Sequence, residues 1–175
     1  KLQEEVERNT EDTTPLFNQN RYKKNVKSNI DEALYEIENG RVEEALKLLS
    51  TRLEEDPLNN EIRYQYAGLL LEHSDRYDEA REHFEYLIQQ DDSNFMAYTR
   101  LAELYEKQGI YGRAADYYLK VIERNPDYAT AYLKWAEISI DHLDTNKEQI
   151  MYVMDSGIYE NGVDDPVWSF MYGKV

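Results

Sequence analysis

Two aspartate pairs, Asp91-Asp92 and Asp164-Asp165, and three histidines, His73, His83 and His142, are the side chains whose chemistry could hold a cation. A calcium site needs six or more oxygens converging on one point. Both aspartate pairs sit in the turns between helical segments, where acids usually cap a helix. The histidines share no ligand spacing. The chain has no cysteine, which removes disulfides, thiolate zinc sites and cysteine nucleophiles. No glycine-rich loop follows a strand, and no strand pattern exists to carry one. We therefore expect no catalytic residue, no metal and no cofactor. Sixteen tyrosines could stack on nucleic-acid bases, yet about half of them fall on apolar stripes that belong to a core.

Those stripes set the architecture. Ile30, Tyr64, Tyr98, Tyr132 and Trp168 act as anchors separated by 34, 34, 34 and 36 residues. Three, four and seven places after each anchor stand Ala33, Leu34 and Ile37; Ala67, Gly68 and Leu71; Leu101, Ala102 and Tyr105; Trp135, Ala136 and Ser139; then Met171, Tyr172 and Val175. Such offsets line one face of an α-helix. A constant period of this length means stacked supersecondary units rather than one globular core.

A second stripe follows each first one. It runs Val42, Ala45, Leu46, Leu49, Leu53; then Tyr77, Ala80, Phe84, Leu87, Ile88; then Tyr111, Ala114, Tyr118, Val121, Ile122; then Ile150, Met154, Gly157, Ile158. The pairs Ala45/Leu49, Ala80/Phe84 and Ala114/Tyr118 each place a small residue four before a large one. A small side chain lets two helices approach, and the large one fills the groove beside it. Gly40 and Gly109 sit in the reversals, where a left-handed backbone is useful. Pro57 and Pro126 close two second helices, and Pro166 after Asp164-Asp165 opens a last one. In unit one the inner connector is one residue short and the outer one a residue long. Two extra residues in the inner turn of unit four account for the step of 36.

The chain of 175 residues carries 20 Lys and Arg against 36 Asp and Glu, a net charge of -16. Nucleic acid is a poor primary partner and no direct binding is expected, because such binding rests on cationic side chains displacing counterions. No stretch is apolar enough to insert into a membrane. Residues 1–21 form a polar extension, expected to be mobile or to dock elsewhere. Tyr22 and Val26 lead into the first helix, so the array occupies 22–175. Its units are about 27–60, 61–94, 95–128 and 129–164, with 165–175 starting a further or capping unit. The chain begins with Lys1 and stops partway through that unit, which suggests a fragment of a longer protein. The compartment expected is the cytoplasm.

This pattern resembles the tetratricopeptide repeat family, most clearly in Tyr98, Leu101, Ala102, Tyr105, Gly109, Tyr111, Ala114, Tyr118 and Pro126. The resemblance covers 27–162 and the start of a unit at 163–175. Asp75 and Leu143 stand where the family has glycine, and Ser139 and Ile150 also depart from its pattern. Trp135 and Trp168 are similar, more loosely, to half-a-tetratricopeptide repeats of RNA-processing scaffolds. The family implies an all-α fold, a right-handed α-solenoid of antiparallel helix pairs, working as a protein–protein interaction scaffold and not as an enzyme.

In such arrays, residues at -2, +1, +5 and +8 from each anchor line a concave groove. The resemblance places Asp31, Tyr35, Gln65, Leu69, Glu72, Met96, Thr99, Glu103, Glu106, Leu133 and Glu137 there, with Ser28, Glu38, Ile62, Thr130 and Ile140. Six of the sixteen are acidic and none is basic. Such a face suits a basic or amphipathic peptide. One subset of the family clamps acidic chaperone tails with lysines, asparagines and an arginine. Those positions fall here on Asp31, Tyr35, Tyr66 and Met96, with only Arg100 kept, so an acidic chaperone tail is not the expected partner. Two further expectations remain open: a targeting or regulatory segment of a larger enzyme or complex, including an RNA-processing assembly, and self-association through the C-terminal helix bearing Trp168 and Phe170.

Overall fold

The computed structural model of the protein describes residues 29–161 and residue 173. Over 29–161 the chain is built of eight helices, with no strand among the described residues. They are α1 (29–38), α2 (Val42–Glu55), α3 (Asn60–His73), α4 (Tyr77–Gln90), α5 (Phe95–Lys107), α6 (Tyr111–Arg124), α7 (Ala129–Asp141) and α8 (Lys147–Asn161). The extension 1–21, the early helix start at Tyr22 and Val26, and the fifth unit with Trp168 and Phe170 lie outside the described residues. The chain divides into two compact units, Lys1–His73 and Ser74–Val175. The first holds α1–α3 and the second α4–α8.

In the first unit, α2 packs on α3. Ala45, Leu46, Leu49 and Leu53 of α2 are buried, as are Ala67, Leu70 and Leu71 of α3. Glu43 and Glu44 in the first turn of α2 and Arg52 in its last turn complement the helix dipole. Asn59 begins α3 by accepting the Ile62 N–H through its side-chain oxygen at 3.1 Å.

In the second unit, each helix packs on the next from α4 to α8. Phe84 of α4, Leu101 and Leu104 of α5, Tyr118 and Val121 of α6, and Met154 of α8 are sealed from solvent. Trp135 of α7 is 3% exposed, so the register expected for unit four is the one observed. Asn94 and Asn146 cap α5 and α8 as Asn59 caps α3, accepting the Ala97 and Gln149 N–H groups at 3.1 and 2.8 Å.

The turns at Gly40 and Gly109 are built alike. Both glycines have positive φ, +75° and +71°. Gly40 N–H donates to Ile37 and Arg41 N–H to Glu36, both at 2.8 Å; Gly109 N–H donates to Glu106 at 3.0 Å and Ile110 N–H to Tyr105 at 2.8 Å. This paired closure satisfies helix-end carbonyls and requires a left-handed residue.

That equivalence corrects the register of unit one. Gly40 follows Asn29 by the same eleven residues that separate Gly109 from Tyr98. Counted this way, buried Ala33 matches Gly68, Ala102 and Ala136, all buried. Leu34, expected in the seam, is 49% exposed. Glu32 and Glu36 take the seam positions occupied by Leu101 and Tyr105 in unit three. Carboxylates cannot be sealed there without a large desolvation cost, and an open cleft runs between α1 and α2, lined by Glu32, Glu36, Lys47, Leu48, Arg52 and Glu55.

Candidate peptide-binding faces of the first helices

In the first unit the shift moves the candidate face of α1 by one residue. Asp31 and Tyr35 are exposed, but the glycine register takes them off the +1 and +5 positions and puts Ile30, Leu34 and Ile37 on the face. Leu34 is exposed and the two isoleucines are half-buried. Arg41 lies 5.8 Å from the Tyr35 ring and bonds Glu36, holding that carboxyl below the usual carboxylate range.

On α3, Gln65 is half-buried and Glu72 is exposed, 4.0 Å from His73. Leu69 is only 7% exposed. Ile62, expected among the exposed apolar side chains, is buried as well. These two are walls of the core and offer no surface, because a buried aliphatic side chain is held by the area it keeps from water.

In the second unit the candidate residues stand on α5 and α7. Met96 is exposed; Leu133 and Ile140 are half-buried. Thr99 is 5% exposed, and its hydroxyl donates to the Phe95 carbonyl at 2.9 Å. It therefore has no free hydrogen bond to give a ligand, another correction to the expected face.

A further correction concerns charge. Glu103 accepts from Arg100 Nη1 at 2.9 Å. Glu106 accepts from Lys134 Nζ at 3.2 Å through one oxygen and from the Tyr118 hydroxyl at 3.0 Å through the other. Lys134 also lies 3.7 Å from Glu137. Three helices thus meet at Glu106: α5 carries it, α6 supplies Tyr118 and α7 supplies Lys134. Each expected carboxylate of this face has a cation beside it. The offsets used to list the face pass over Arg100 and Lys134, which stand two places after Tyr98 and Tyr132.

Titration follows this geometry. Partial burial works against the Lys134 ammonium, but the hydrogen bond to Glu106 and the charges of Glu106 and Glu137 outweigh it and raise its pKa. Burial, reinforced by the Glu106 charge, pushes the Tyr118 phenol far above its ordinary range.

Among the described residues, five of the tyrosines that could have stacked on bases are buried in the fold, Tyr66, Tyr98, Tyr105, Tyr118 and Tyr132. Tyr117 packs against two of these, its ring 6.2 Å from Tyr98 and 5.4 Å from Tyr105. His142 stacks flat on Tyr111 with ring centroids 3.6 Å apart. Among the described residues no three His, Asp or Glu side chains converge as a metal site. No described helix is long and apolar enough to cross a membrane.

Comparison with known proteins gives the same architecture. A search of curated proteins finds no match. Among solved structures, a crystal structure of MamA protein superposes with a TM-score of 0.63 at 18% identity, covering 78% of this chain and 73% of that one. A tetratricopeptide repeat protein from Parabacteroides merdae gives 0.67 at 15% identity, covering 85% of this chain and 57% of that one. The second TPR domain of human RPAP3, solved with the HSP70 peptide SGPTIEEVD, gives 0.56 at 20% identity, covering 64% and 92%. At these identities the likeness is one of fold. The family model for the tetratricopeptide repeat matches residues 30–94 and 71–129, more than half of the sequence, and the chain belongs to the tetratricopeptide repeat family.

Proposed function

We propose that this protein is a non-catalytic interaction scaffold that holds a peptide segment of a partner against the exposed faces of its first helices. The observation that carries the reading is the face of α5 and α7, where Met96, Leu133 and Ile140 stand beside the Arg100–Glu103 and Lys134–Glu106 pairs. Apolar area supplies affinity and fixed charge supplies register. The RPAP3 domain, solved with a bound peptide, is a precedent within the same fold.

Of the basic and amphipathic segments that the sequence allows, the pairing of the carboxylates favours the amphipathic one. An acidic chaperone tail remains a poor fit. Tyr66 is buried, Met96 offers no charge, and Arg100 is already engaged by Glu103.

Affinity purification of the intact protein, with partners identified by mass spectrometry, tests the scaffold. Met96→Asp with Leu133→Asp is expected to lose those partners while keeping native helical circular dichroism. Partners retained by a folded double variant would overturn the face assignment.

A further inference from the structure

The same cation–carboxylate pair occurs twice on the second unit, one period apart. Arg100–Glu103 on α5 and Lys134–Glu137 on α7 are both i,i+3 pairs, 34 residues distant. Lys134 differs from Arg100 in also reaching back to Glu106. It therefore bridges two carboxylates on neighbouring first helices and fills the space between them with a positive charge.

That space is where an arginine or lysine of a basic ligand would go. Glu106 is held from behind by the Tyr118 hydroxyl, with Tyr118 itself buried, so its carboxylate cannot swing away to meet a ligand elsewhere. Glu137, with half of its side chain exposed, is the second carboxylate that Lys134 reaches. A ligand cation would have to evict Lys134 and would gain only what Lys134 loses. A segment presenting an uncharged apolar face leaves the bridge intact and packs on Met96, Leu133 and Ile140 instead.

We propose that Lys134 is the specificity-determining residue of this face: as a resident cation it excludes strongly basic segments and selects an amphipathic segment docking through an uncharged apolar side. The proposal rests on the scaffold reading above and states the partner chemistry of that same face. Discrimination of this kind works by making the wrong ligand worse rather than the right one better. Against partial burial, the hydrogen bond to Glu106 and the charges of Glu106 and Glu137 raise the Lys134 pKa, so that its ammonium stays charged at physiological pH.

Two fluorescein-labelled synthetic helical peptides test it by anisotropy. One has leucine and alanine along one side and glutamine along the other; its twin carries arginine in place of every alanine, so that the cations lie on the docking side. The glutamine peptide is expected to bind the wild type and to change less on Lys134→Met than the arginine peptide does. The arginine peptide is expected to bind the wild type weakly and Lys134→Met about tenfold more tightly, with a steeper salt dependence. Lys134→Arg, which restores the cation, is expected to behave as the wild type. Equal binding of the arginine peptide to wild type and Lys134→Met overturns the role of Lys134 and leaves the scaffold standing. Failure of both peptides on both proteins, each shown to be folded, overturns the scaffold reading of this face as well.

Discussion

The Arg124 guanidinium lies 4.0 Å from the centre of the Tyr98 ring and closes on the Asp92 carboxylate with two bonds of 2.9 and 3.1 Å. Its Nε donates to the Asp92 carbonyl at 2.6 Å, and the Tyr98 hydroxyl donates to the same carboxylate. One residue at the end of α6 thus ties down the turn before α5 and the anchor tyrosine of α5. Asp92, a possible cation ligand from sequence, is spent on this clasp. Its pKa is lowered, first by the Tyr98 hydrogen bond and then by Arg124.

Alkaline titration should report the clasp. The Tyr98 phenol is pushed up to about 12, first by burial and then by its bond to Asp92, against about 10 for an unfolded tyrosine. The folded state holds this proton more tightly. The contribution to stability is whole below about pH 10 and is lost as pH rises through about 12. Tyr98→Phe has no proton to lose there. Its melting temperature should fall less between pH 9 and pH 12 than that of the wild type, and parallel falls would refute the assignment.

Trp135 is the largest test of the α7 seam. Replacing a buried ring by alanine should cost about 3–5 kcal/mol, measured by urea unfolding. An unchanged midpoint would mean that the ring is not held as described.

Ser139, on the same helix, predicts the opposite sign. It is 1% exposed, and its hydroxyl has no hydrogen-bond partner. A buried hydroxyl without a partner keeps its desolvation cost uncompensated. Ser139→Ala should stabilise the protein by about 1 kcal/mol. Destabilisation on thermal unfolding would show that the hydroxyl is satisfied in solution.

Two glycines should respond in opposite directions. A methyl group added at Gly68, within α3, meets nothing within 4 Å. Gly68→Ala should therefore stabilise by about 0.5–1 kcal/mol through helix propensity and chain entropy. Gly40 has equal room but a φ of +75°, so Gly40→Ala should destabilise. Differential scanning calorimetry on the two variants decides both signs.

The helix pairs were legible because burial follows period. Ala45, Ala80 and Ala114, with Leu49, Phe84 and Tyr118 four places on, all proved sealed. Unit one was misread because α1 has two overlapping apolar patterns, and Ile30, Leu34 and Ile37 imitate a seam while Ala33 alone is in it. The turn glycine settles the matter, since a positive φ fixes one residue of the turn and everything counts from there. The pairing of the carboxylates was not legible for a different reason. Offsets from an anchor place Cα atoms, whereas Lys134 reaches Glu106 through a long side chain that no periodicity describes. The asparagine caps at 59, 94 and 146 carried a usable signal, an Asn directly before the first residue of each helix.

Two ties of the second unit are short in sequence. Glu106 to Lys134 spans 28 residues and Asp92 to Arg124 spans 32, so each reaches about one period and stops. Pulled from its ends, a chain joined in this way gives up one clasp at a time, and a trace of force against extension would show teeth about a period apart. The same locality lets a pair be duplicated or deleted during evolution without orphaning distant partners.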